Sequence, residues 1–171
     1  IDPYERPSFI INENPYIYIS VVAFYPKAKY PRGLGLKSPA DLKGKAVGVI
    51  RGTGSVEVLQ NAGAALDVSD DKDQLMRKLV AGRYDIAVVA DLTGLYSLQS
   101  LNEADEFGYE PLYRSPLDLI FSARHPASAD LRKKYNSGLA KIKADGTYMK
   151  ILARFYPNGK VNRDALPPDM K

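Results

Sequence analysis

Residues 84–91 read Tyr-Asp-Ile-Ala-Val-Val-Ala-Asp, a nearly continuous apolar run closed by a carboxylate. A run of this kind is expected of a strand covered on both faces, as in a parallel sheet flanked by helices. Helical spacing resumes immediately after it, over Leu92 to Leu101. Working back, "KAVGVI" (45–50) is a short β-branched run and Ser55 to Gly63 has helical spacing. "ALDVS" (65–69) is a second short strand, and residues 70–81 carry Leu75, Leu79 and Val80 at helical intervals. Strands alternating with helices of about ten residues predict βαβ units. The fold class is therefore α/β, with a parallel-dominated sheet and helices on both faces.

The flanks have a different character. Upstream, "YIYISVVAFYPK" (16–27) is one long extended stretch, followed by a polar connection in which Ser38 or Asp41 is suited to cap a short helical turn. Downstream, "LDLIFSARHP" (117–126) predicts another strand, Ser128 or Asp130 a cap for a helix through Ile142, and "DGTYMKILARFYP" a terminal helix closed by proline. The two extended flanks are candidates for paired crossings between lobes. The tail 158–171 has turn residues and little periodicity, so loose attachment is expected.

Bulk composition narrows the function. The chain has 171 residues, 45% hydrophobic and 26% charged, which fits a globular protein and excludes collagen-like or disordered readings. Its net charge of +4 is scattered through 24 basic and 20 acidic residues, a poor footprint for nucleic acid. There is no cysteine, which removes thiolate chemistry and cysteine-ligated zinc. The longest apolar stretch, residues 16–25, is well short of the roughly 20 residues of a membrane-spanning helix. The opening "IDPYERPSF" has neither an initiator Met nor an apolar signal core, as expected of a processed or truncated product.

Chemistry concentrates at two places. Gly52-Thr53-Gly54-Ser55 follows a strand and opens a helix, where unsatisfied N–H groups and the helix dipole favour anions. The alternative is a turn in which Gly52 supplies positive φ and Thr53 or Ser55 acts as an N-cap; the spacing leaves both open. The corner is neither a P-loop nor a dinucleotide fingerprint, and nothing implies a cofactor. Asp91 ends the third strand, at the edge where open α/β sheets gather ligands. Anion donors and a carboxylate facing one crevice would suit a zwitterion. The commoner role of an Asp before a helix is an N-cap. His125, the single histidine, has no partners with which to build a triad or a metal site, and Lys141 and Lys143 are expected on a solvated helix face.

Three stretches, "SPADLKGKAVGVIRGTGS", "LVAGRYDIAVVAD" and "LRKKYNSGLAKIKADGTYMKILARFYP", together resemble, in order and spacing, the bacterial extracytoplasmic solute-binding proteins of polar amino-acid ABC importers, from Tyr4 to Pro157. The resemblance implies the type II periplasmic-binding fold of two lobes joined by crossing strands, with ligand held between them. It assigns residues 1–18 to a remnant of lobe 1, 19–120 to lobe 2, 121–157 to a return to lobe 1 and 158–171 to a tail. By that resemblance Arg6 and Thr53 bind an α-carboxylate and Asp91 an α-ammonium group, with Gly52, Gly54 and Ser55 completing the corner. Gly54 stands where the family usually has a second hydroxyl, Asp91 lies one residue later than in many members, and the earlier part of lobe 1 has no counterpart. The implied function is non-enzymatic binding of a small zwitterion or carboxylate outside the cytoplasm, with a membrane permease as partner. Alternatives are a ligand-sensing domain of a membrane receptor such as a histidine kinase, and a dehydratase-type enzyme using Glu57 or Asp91. An incomplete lobe would also expose sheet edges and apolar faces, so a homodimer through it is expected.

Overall fold

A computed structural model describes residues 9–12 and 14–170. In chain order the elements are β1 (Phe9–Ile11), β2 (Ile17–Pro26), β3 (Ala46–Ile50), α1 (Gly54–Asn61), β4 (Ala65–Ser69) and α2 (Lys72–Val80). There follow β5 (Ile86–Ala90), α3 (Asp91–Ser100), β6 (Phe107–Leu117), β7 (Ile120–Ser122), α4 (Ser128–Ala144) and α5 (Thr147–Ala153). The chain divides into two compact units, Ser20–Arg114 and Ile1–Ile19 with Ser115–Lys171.

The unit Ser20–Arg114 is built on a mixed sheet of order β4-β3-β5-β2-β6. β3 is parallel to both β4 and β5, while β2 runs antiparallel to β5. Because side chains alternate across a strand, Ala87 and Val89 of β5 share a face with Val22 and Phe24 of β2, against Leu75, Met76 and Leu79 of α2 and Leu98 of α3. Ile86 and Val88, of opposite parity, are just as buried, so β5 is covered on both faces as its unbroken apolar run requires. Each fully buried side chain of this size contributes about 1.5–3 kcal/mol. Packing is tight enough to dictate glycine: a Cβ at Gly94 in α3 would overlap the Phe24 ring, and one at Gly48 would overlap Tyr84. Tyr84 is buried, donates to the Leu75 carbonyl at 2.7 Å, and has its phenol pushed up to about 12 by that burial.

Polar groups secure the connections. Asp71 caps α2 by accepting from Gln74 N–H at 2.7 Å, and Asp41 accepts from Lys37 and Ser38 N–H at 2.8 and 2.9 Å around a 3-10 turn at Pro39–Leu42. Glu110 of β6 accepts from the N–H groups of Leu34, Gly35 and Leu36 at 2.6, 3.2 and 2.8 Å, pinning the loop between β2 and β3 to the far strand. Asp67 accepts from Lys78 at 2.6 Å and Arg83 at 3.1 Å; the Lys78 hydrogen bond first, then that of Arg83, hold its carboxyl below the usual range.

In the other unit β1 pairs antiparallel with β7, Ile10 opposite Phe121. Leu139 of α4, Tyr148 of α5 and Leu166 form its core, with Tyr16, Ile142, Leu152, Val161 and Met170 packed around them. Asn12 is buried and donates to Asn136 at 2.9 Å, and Tyr148 donates to the Tyr16 carbonyl at 2.5 Å.

Several expectations change here. The tail is not loose: Ala165, Leu166 and Pro167 are buried, and Asp169 pairs with Lys143 at 2.9 Å. That pairing leaves the Lys143 side chain only 11% exposed, so it does not lie on a solvated face. Of the strand expected at 117–126 only the short β7 forms beyond the end of β6, and the long strand is β6 itself, which the two prolines at 111 and 116 concealed. Both prolines are exposed on the sheet's terminal strand, where a missing N–H is tolerated. Neither Ser128 nor Asp130 caps α4; the N-cap is Ala127, and Ser128 Oγ donates instead to the Ser122 carbonyl at 2.6 Å. Among the described residues no helix is long and apolar enough to cross a membrane.

Two outcomes test this packing. Gly94→Ala lowers unfolding free energy by about 1–3 kcal/mol through overpacking against Phe24, and Phe24→Leu in the same chain recovers part of the loss in urea denaturation. Asp67→Asn costs about 1 kcal/mol at pH 7. Because the native pKa is depressed, the wild type's advantage is present above the unfolded carboxylate pKa of about 4 and disappears as pH falls through the lower native value, which parallel titrations at pH 7 and pH 3 will show.

Candidate functional site

The arrangement of strands decides where a ligand can sit. From β3 the chain moves outward to β4, then returns across the sheet to β5, so the β3/β5 pair is where the winding reverses. Ligands of open α/β sheets bind outside the carboxyl ends of strands at such a point. The parallel register sets Val47 beside Ile86 and Gly48 beside Ala87, so the turn after Ile50 and Asp91 after Ala90 both follow the carboxyl ends of neighbouring parallel strands. On the other edge of β5, Val21 stands opposite Ala90, which carried one step further puts Ser20 level with Asp91.

The corner itself is open. Gly52 has φ of 71°, a conformation that strains other residues, and it is this rather than crowding that demands glycine, since a Cβ there would meet nothing within 4 Å. Thr53 is the N-cap of α1 by backbone geometry, yet its side chain makes no cap hydrogen bond. Its hydroxyl turns back to donate to the Ile50 carbonyl at 2.8 Å. α1 therefore begins without the side-chain acceptor that ordinarily quenches its first N–H groups, which corrects the reading of Thr53 as a capping side chain. Gly54, the first helical residue, is exposed, and a Cβ on it would also meet nothing within 4 Å. Ser55 differs: it is buried, and its Oγ lies 2.8 Å from the Tyr113 hydroxyl. Ser55 is not the N-cap, since it is the second residue of the helix.

Asp91 is buried at 4% exposure and is the first residue of α3. The N-cap is Ala90, so the expected capping role is not the one it plays; its Oδ1 accepts from the adjacent Leu92 N–H at 2.8 Å. Tyr109 of β6 stacks 5.4 Å from Phe24, and its phenol is raised by burial and by the nearby Asp91 carboxylate. Arg51 points to Asp70, 2.9 Å away and equally exposed. Arg6 lies outside the described residues. His125 is exposed and accepts from Ala127 N–H through Nδ1 at 3.2 Å. Among the described residues no group of three His, Asp or Glu could hold a metal ion.

Three residues of this region escaped the sequence reading. Tyr113 and Tyr109 were submerged among 12 tyrosines, and Tyr113 stands 58 positions from the serine it bonds. Ser20 sits inside an apolar strand, and its buried Oγ has no hydrogen-bond partner among the described residues.

No protein-family model matches the chain. Over 160 residues, 90% of its length, it is 33% identical to the ABC transporter arginine-binding protein 1 of Escherichia coli, and it covers 62% of that protein. In sequence the chain is thus similar to amino-acid-binding proteins of ABC transporters. A second such protein, the L-cystine-binding protein TcyJ of Escherichia coli, is 29% identical over 123 residues, 71% of this chain and 45% of that one. The solved structure of an ancestral arginine-binding protein bound to glutamine superposes with a TM-score of 0.66 at 25% identity, over 94% of this chain and 68% of that one. The chain thus has the type II periplasmic-binding fold, and spans about three fifths of the arginine-binding protein it matches.

Proposed function

We propose that the chain belongs to an extracytoplasmic amino-acid-binding protein serving ABC-type uptake, with a membrane permease as its partner. The observation that carries this reading is the open, uncapped start of α1 at the same carboxyl end of the parallel strands as the buried Asp91, in a chain one third identical to an arginine-binding protein. A zwitterion needs donors for its carboxylate and an acceptor for its ammonium group. The N–H groups of Gly54 and Ser55 supply the first, aided by the dipole of α1. Asp91 supplies the second. We read residues 19–120 as one lobe, and 1–18 with 121–157 as part of another.

Calorimetric titration against a panel of L-amino acids is expected to show one-site binding, with Asp91→Asn weakening it about tenfold or more through the lost charge-assisted bond. Absence of heat with every amino acid, or an Asp91→Asn variant equal to the wild type, contradicts the proposal.

We also propose that two copies associate through the unit holding α4 and α5. Tyr135 and Ile142 of α4, Tyr148, Ile151 and Leu152 of α5 and Tyr16 line an apolar groove of about 510 Å³, with Leu131 and Phe155 exposed nearby. Apolar surface of this extent favours a covering partner. Sedimentation equilibrium is expected to show a dimer that Ile151→Lys converts to monomer; a monomeric wild type at tens of micromolar overturns it.

A further inference from the structure

Helix α4, the turn before β2 and the tail line a cavity of about 500 Å³, all of whose lining residues belong to the unit holding α4 and α5. It shares no residue with the α1 corner or with Asp91, and its volume falls in the range of small-molecule pockets, roughly 300–1,000 Å³. Charge within it is already balanced. The Lys143 ammonium, on a side chain only 11% exposed, donates to both oxygens of Asp169 at 3.0 and 2.9 Å. Hydrogen-bonding capacity is not used up, because an ammonium has a third proton and a carboxylate keeps further lone pairs. Asn136 accepts through Oδ1 from Asn12 Nδ2 at 2.9 Å, while its own NH₂ has no acceptor among the described residues. Beside these polar groups stand Pro15, Leu139, Pro167 and Pro168, an apolar surface whose prolines carry no N–H.

We propose that this cavity is a second binding site, for a neutral polyhydroxylated ring of the monosaccharide or cyclitol class. A hydroxyl donates and accepts at once, so it can take a proton from Asn136 or Lys143 while giving its own to Asp169. Adjacent hydroxyls thereby bridge the ion pair without breaking it. The C–H face of such a ring is apolar and packs on the proline and leucine surface. Charged ligands fit less well: an anion meets the Asp169 carboxylate and a cation meets Lys143. A zwitterion has to replace an intact bidentate bond to a nearly buried lysine, which leaves little net gain. The tail supplies one side of the site through Pro167, Pro168 and Asp169, so its anchoring by Leu166 shapes the cavity as well as stabilising the unit. The proposal stands apart from the amino-acid-binding reading, since the two draw on different residues and different ligand chemistry.

The test is a ligand-observed NMR titration of the whole chain with D-glucose, D-galactose, myo-inositol and, for comparison, a set of L-amino acids. Wild type, Ala140→Phe and Lys143→Met are compared, with circular dichroism confirming folding. Ala140 is exposed and lines the cavity, so phenylalanine there fills the space without removing a hydrogen bond. At least one of the three polyols is expected to bind the wild type with Kd of about 1 mM or tighter. Ala140→Phe is expected to weaken it about tenfold or more, and Lys143→Met about 3- to 10-fold. If Lys143→Met does not fold, Ala140→Phe decides. Binding of none of the polyols overturns the proposal, as does polyol binding that Ala140→Phe leaves unchanged, which places it elsewhere. An amino acid whose binding is lost in Ala140→Phe while no polyol competes with it shows that the cavity takes zwitterions, and overturns the ligand class. Each of these failures leaves the reading of the α1 corner and Asp91 as it stands, because neither variant alters a residue of that region.

Discussion

Strand β5 is paired along both edges and buried on both faces, and the candidate site follows from that confinement. With β3 on one side and β2 on the other, its backbone is paired along both edges, and its side chains, filling the core above and below, specify the register. The chain has to leave this strand at Ala90, on the edge where β3 ends at Ile50. Asp91 is buried there because the strand that delivers it is buried. The cost of placing a carboxylate in such surroundings is offset in part by the Leu92 N–H it accepts.

Legibility in the sequence tracked the distance over which an interaction acts. The apolar run 84–91, the β-branched run at 45–50, the short strand at 65–69 and the helical spacing between them identified the α/β class, since each records the burial of one local segment. β6 was obscured because Pro111 and Pro116 signal loops until the strand is known to lie at the end of the sheet. The tail was misjudged because its anchors, Leu166 and the Lys143–Asp169 pair, depend on helices far back in the chain. At the site, the anion-favouring start of a helix was visible in Gly52 to Ser55, but the direction of the Thr53 hydroxyl and the partner of Ser55 were not. Both are tertiary facts with no spacing to announce them.

The corner departs from the family pattern in a physically coherent way. Where a hydroxyl residue usually follows the threonine there is Gly54, and the hydroxyl appears one residue later, rotated inward by the helical turn to the buried face. An exposed hydroxyl in that first turn would find its own partners in water. A buried one needs a partner from the protein, and Tyr113 is that partner. Moving a polar group by one residue therefore ties the start of α1 to the opposite end of the sheet.

The prolines of β6 carry a consequence of another kind. A sheet ending in a regular strand invites a further strand, from a neighbour or from a misfolded copy, to continue the ladder and so begin a fibril. Positions 111 and 116 have no N–H to give, and five residues apart in a regular strand they remove one donor from each edge. The same stretch that was hardest to recognise as a strand thereby breaks the run of donors at the margin of the sheet.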